Sequence, residues 1–187
     1  MPRGRLIALA VVTEGALAIA AWAAAWMFNL TMTWGKPPRD LAIGTVAAVV
    51  LAAINHTILT RAPSGWIVDG VRAVYHEVLV PVFGTLDLPG IVIIGIAAGL
   101  GEEWLFRGVL QPLVGLPVAS VLFGLAHMGG RHMLAFAIWA SVMGVALGGL
   151  AIVTGGLIAP MVAHGLYDML ALAHLRRSAH ERRGIAH

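Results

Sequence analysis

Three groups of residues, each holding at least one ionisable side chain, sit in stretches of this chain that otherwise read as membrane-spanning helix. They are Glu102-Glu103 with Arg107, Phe123 with His127, and His164 with Asp168. An ionisable side chain in a bilayer interior costs several kcal/mol, so such residues are rare there and usually functional. Each group contains two residues four apart, which puts both on one face of a helix. Glu103 therefore neighbours Arg107, with the acid preceding the base, and the two are expected to neutralise each other. Glu102 points elsewhere and has Phe106 at the fourth position instead of a base. One carboxylate is thus read as structural, and the other remains available to take a proton. If the three helices pack together, carboxylates and two imidazoles converge in one polar pocket. Such a set could bind a water, deprotonate it and stabilise the oxyanion formed when it attacks an amide.

The elements that must position these groups follow from composition. The chain is 59% hydrophobic and 11% charged, with a mean hydropathy of +0.89, outside the range of an ordinary soluble domain. Residues 6–28 carry one charge, Glu14; residues 41–60 carry none, and neither do residues 132–167. At about 20 apolar residues per crossing these are spans. The first is read as retained, since Trp22, Trp26, Met27 and Phe28 occupy the end where a signal peptide would place small residues. We expect an all-α fold: a polytopic transmembrane helical bundle of about six spans plus an amphipathic interfacial helix. Two spans cover about 6–29 and 41–60, joined by a turn at Pro37-Pro38. The amphipathic helix falls within 61–87, where Trp66, Ile67, Val71, Val74, Tyr75, Val78 and Leu79 recur at helical spacing among charges. A third span starts near Leu88 and runs towards Pro112. A short fourth follows Pro117, a fifth covers about 133–153, and a sixth ends near Leu175. Residues 1–87, 88–175 and 176–187 accordingly divide the chain into an N-terminal pair of spans with a surface helix, a catalytic core and a basic cytoplasmic tail.

With no cysteine, disulfides and thiol chemistry are absent. The net charge of +3 rests mostly on Arg176, Arg177, Arg182 and Arg183. They orient the last span and touch anionic lipid, and with Arg3 and Arg5 they place both termini of a multi-pass cell-membrane protein in the cytoplasm. Nothing interleaves them with aromatics, so nucleic acid is not an expected partner. Glu14, Asn55 and His56 are read as interhelical hydrogen-bond partners. His132, His174, His180 and His187 are read as ordinary solvated histidines, and Trp22, Trp26, Trp34 and Trp66 as interface anchors. Even crossings would leave Glu102 deeper than His127, so a helix break at Gly99 or Gly101 is expected to bring them level.

Glu102-Glu103-Trp104-Leu105-Phe106-Arg107 fits EExxxR, Phe123-Gly124-Leu125-Ala126-His127 fits FxxxH, and His164-Gly165-Leu166-Tyr167-Asp168 fits HxxxN/D. In this order the three motifs resemble those of the CPBP family, the CAAX proteases and bacteriocin-processing enzymes also called Abi or Rce1-like proteins. The resemblance covers about residues 88–175. It implies an intramembrane endopeptidase with a lipid bilayer around it and a peptide or protein substrate, prenylated or leader-containing. It also implies Glu102 as general base assisted by His127, His164 and Asp168 orienting water or stabilising the oxyanion, and Glu103 with Arg107 holding the site together. The third motif ends in Asp168 where prenyl-protein processing members carry Asn; an ionised Asp accepts hydrogen bonds but donates none. A metal-free glutamate mechanism with no cofactor is the implied chemistry. There is no HExxH, and the alternative is zinc held by Glu102, His127 and His164. The rival functions are a membrane scaffold or bacteriocin-immunity protein that keeps the polar cluster for binding, and a proton-coupled transporter. The missing repeat between halves argues against the transporter.

Overall fold

The computed structural model describes residues 2–130 and 133–185, and His132 and His187 lie outside these described residues. The described residues contain helices and connecting turns only. They are α1 (Arg3–Met27), α2 (Pro37–Thr60), α3 (Trp66–Val74), α4 (Val80–Phe83), α5 (Leu88–Leu105), α6 (Gln111–Ala126), α7 (Leu134–Thr154) and α8 (Ile158–Ile185). π-helical turns link α3 to α4 at Tyr75–Leu79 and α5 to α6 at Phe106–Leu110.

Local chemistry sets the helix ends. Asp87 caps α5 by accepting from the Gly90 N–H at 3.0 Å, and Pro89 fits the first turn, where its missing N–H costs nothing. At α2, Pro37-Pro38 start the helix and Asp40 accepts from the Lys36 N–H at 2.6 Å. Arg39 pairs with Asp40 at 2.7 Å and donates to the Thr154 carbonyl, joining the start of α2 to the end of α7. The Arg72 guanidinium donates to the carbonyls of Ile58, Leu59 and Ala62. The surface helix thereby caps the open end of α2. Burial, with Arg182 and His174 nearby, holds His76 on this surface segment below the usual histidine range.

Five helices are long and apolar enough to cross a membrane. The third of them, Leu88–Ala126, is folded back on itself at Gly115, whose φ of 81° and ψ of 162° break the helix. A residue with a Cβ resists that conformation. Leu116–Ala126 then returns beside the helix it left, so that Phe106 meets Phe123 at 5.0 Å between ring centroids. At 1.5 Å per residue this returning arm spans about 16 Å, roughly half of a bilayer core. The arm makes a sixth, partial traverse, and the chain is a multi-pass membrane protein. Leu6 packs with Leu175 and Ala179, and Arg3 pairs with Asp87 at 3.2 Å, which puts both described ends on one face of the bundle. Its outer surface is lined by exposed Val12, Ile19, Val46, Ile96, Val121 and Val153, the side chains that lipid covers.

The expected break at Gly99 or Gly101 is corrected: α5 runs unbroken through both. Glu102 and His127 come level because the returning arm is short and turns at Gly115. Gly99 instead permits close approach, since a Cβ there would stand 2.6 Å from the Met161 carbonyl oxygen of α8. Gly99→Ala must push α5 and α8 apart. We expect it to cost about 1–3 kcal/mol, read as a lower melting midpoint in detergent; an unchanged midpoint would show that the contact is soft.

Candidate active site

The site lies where α5, its π-helical turn, the arm Leu116–Ala126 and α8 meet. Glu103 is fully buried and links two of these elements. Its Oε2 faces Nε of Arg107 at 3.1 Å, and its Oε1 lies 2.7 Å from Nδ1 of His164. His164 turns its other nitrogen towards Asp168, with Nε2 and Oδ2 3.6 Å apart. Arg107, on the π-helical turn, donates from Nη2 to the Gly144 carbonyl of α7 at 3.1 Å. Its guanidinium lies over the Phe123 ring, 4.5 Å from the centroid, a favourable position for a desolvated cation. Arg107, Glu103, His164 and Asp168 thus form one chain of alternating basic and acidic side chains, buried at the arginine end and opening at Asp168.

Glu102 stands apart from that chain. Its Oε2 is buried with no hydrogen-bond partner among the described residues, and the imidazole Nε2 of His127 is 3.7 Å away. His127 ends the returning arm, and its Nδ1 lies 2.8 Å from the Phe123 carbonyl oxygen. If that nitrogen carries the ring proton, Nε2 is left as a free acceptor facing Glu102. Phe123 stacks against His127 at 4.6 Å and touches His164 edge-on at 5.7 Å. One aromatic ring therefore spaces both imidazoles and covers the arginine.

All seven sequence-derived residues gather here, and the site opens into a cavity. A space of about 300 Å³ is walled by Asn55, Tyr75, Phe83, His127, Tyr167 and Asp168, among other mostly apolar side chains. A smaller one of about 90 Å³ beside it reaches Phe123, His127 and His164. Glu102 is not on either wall and meets this space through His127. Among the described residues, no three His, Asp or Glu side chains converge as metal ligands.

Residues 83–170 match the family model described as type II CAAX prenyl endopeptidase Rce1-like. This segment is similar to the Rce1-like family. The match spans α5 to nearly the first half of α8 and holds every residue of the three motifs. The uncharacterized protein YpbD of Bacillus subtilis (strain 168) is 28% identical over 151 residues, covering 76% of this chain and 77% of that protein. No solved structure gives a significant match.

Beyond the Rce1-like motifs, sequence reasoning missed two features of the site. The π-helical turn that carries Arg107 has no composition signal, though such turns recur at functional sites. Glu14 of α1 lies against Gly101 of α5, the residue that precedes Glu102. It was expected to be an interhelical hydrogen-bond partner, yet its Oε2 is buried and has none among the described residues. His56 packs edge-on against His174 at 5.6 Å, and His174 is half-buried there instead of solvated as expected.

Proposed function

We propose that this protein is an intramembrane endopeptidase in which Glu102 and His127 activate a water without a metal. The observation that carries this reading is the carboxylate of Glu102 set 3.7 Å from His127, the residue that lines a mostly apolar cavity, while Glu103 is ion-paired with Arg107 and hydrogen-bonded to His164. Water held there gives a proton to Glu102, directly or through His127, and its oxygen bonds to the carbonyl carbon of the scissile amide. The proton then passes to the amide nitrogen as the carbon–nitrogen bond breaks. His164, hydrogen-bonded through Nδ1 to Glu103, is oriented to present Nε2 towards the developing oxyanion. Asp168 sets the position of that ring. Glu103 and Arg107 hold α5 against α7 and α8.

The cavity walls suit an apolar or lipidated segment, so the substrates proposed are membrane-associated peptides or proteins, prenylated or leader-containing. The face bearing Arg3, Arg5 and the arginines of α8 is assigned to the cytoplasm. Lys36 and Arg39, on the opposite side, are outnumbered by these arginines.

Purified protein in detergent, incubated with a library of membrane peptides with and without chelator, tests this reading. Cleavage that survives the chelator is expected. Cleavage abolished by chelator would replace the glutamate mechanism with a metal-dependent one. No cleavage of any peptide would remove the protease reading in favour of a binding role.

A further inference from the structure

The motifs leave one polar group near the site unused, and it comes from outside the Rce1-like segment. Glu14 lies in the middle of α1 and faces α5 at Gly101. A Cβ placed on Gly101 would stand 2.6 Å from the Glu14 carbonyl oxygen and 2.8 Å from its Oε2. Only a glycine lets α1 come this close, and the contact sets the Glu14 carboxylate against the residue that precedes Glu102. Oε2 of Glu14 and Oε2 of Glu102 are both buried without a hydrogen-bond partner, as is Oε2 of Glu103, which has Arg107 beside it. No arginine or lysine is paired with Glu14 or Glu102 among the described residues.

Buried polar atoms rarely stay unsatisfied, and a carboxylate can only accept. Glu14 lies against Gly101, the residue before Glu102, and a single donor with two hydrogens placed between the two side chains would satisfy both acceptors. Water has that chemistry, and a buried water wants two to four polar partners. An oxygen donating one hydrogen to each carboxylate has its lone pairs held in a fixed direction, which is the condition for an efficient attack.

We propose that Glu14 is a positioning residue of the active site, and that with Glu102 it holds the water which attacks the substrate. The inference rests on the protease reading above. Glu102 takes the proton it already accepts as a hydrogen bond, while Glu14 keeps the second hydrogen and with it the orientation of the oxygen. This assigns α1 a part in the reaction that the three motifs do not contain.

The test compares wild type, Glu102→Ala, Glu14→Leu and Glu14→Gln on a peptide cleaved by the wild type. Leu removes the acceptor and suits a membrane helix; Gln keeps one acceptor oxygen. We expect Glu14→Leu to lower kcat about 100-fold, with KM within about twofold and the melting midpoint not reduced, because no partner of Glu14 is orphaned. Glu14→Gln should fall between the two. Wild-type kcat in Glu14→Leu, a loss confined to KM or to stability, or a Gln variant no better than Leu would overturn the assignment while leaving the protease intact. An inactive wild type would defeat the protease reading, and this inference with it.

Discussion

Glu102→Ala is expected to leave about one thousandth of the wild-type cleavage rate and to melt close to wild type. Acid–base groups contribute about 10²–10⁴-fold, and a thousandfold loss corresponds to about 4 kcal/mol of transition-state stabilisation. The second half of the expectation follows from the packing. Oε2 of Glu102 is buried with no hydrogen-bond partner among the described residues, and His127 at 3.7 Å is beyond hydrogen-bond length. Truncating Glu102 orphans no side-chain donor of the protein, so the fold loses little. Activity and stability should therefore separate at this position, as they would not at a residue that holds helices together. Turnover on a cleaved peptide and a detergent melting curve, measured on the same preparation, check both halves. A residual rate above one tenth would sink the assignment of Glu102 as base and leave His127 as the candidate.

Which parts of this arrangement could be read from sequence follows from the range of each interaction. Helical spacing reports contacts within one turn or two. It accordingly paired Glu103 with Arg107 and Phe123 with His127, and the structure gives those distances as 3.1 Å between Nε and Oε2 and 4.6 Å between rings. The apolar runs likewise located the spans, because bilayer thickness sets their length. The bond between Glu103 and His164 joins residues 61 positions apart, and no periodicity within either helix encodes it. Glu14 is a similar case: alone in an apolar run it reads as a helix-packing residue, and its proximity to Glu102 depends on how α1 crosses α5. Pro112 and Pro117 marked an interruption, but the reversal occurs at Gly115 between them, through a φ of 81°. A proline pair signals that a helix stops, whereas the direction taken afterwards is set by the packing of the arm against α7. The break assigned to Gly99 or Gly101 failed for the opposite reason. Glycines in membrane helices more often serve close packing than bending, and both of these face a neighbouring backbone.

Arg107→Ala is expected to destabilise the fold by about 3–5 kcal/mol, the range for removing one member of a buried ion pair. Glu103 has no exposed side-chain surface and Arg107 only 2%, so neither can turn to solvent when the other is lost. The truncation would also free the Gly144 carbonyl and remove the cation over Phe123, loosening α7 and the arm that carries His127. For a chain of this size the loss corresponds to roughly 10 °C in melting midpoint. Arg107→Lys keeps the charge but not the planar fork that reaches Glu103 and Gly144 together, and it should recover only part of the stability. Glu103→Leu combined with Arg107→Leu removes both charges, so it should be less damaging than the sum of the single changes. His164 would still lose its Nδ1 partner in that double variant, and activity should stay low even where the fold recovers. That separation distinguishes a pair that builds the site from one that performs its chemistry. Were Arg107→Ala to melt within a degree of wild type yet lose all turnover, the ion pair would not be holding the helices. Glu103 would then have to be considered for the chemical role assigned here to Glu102.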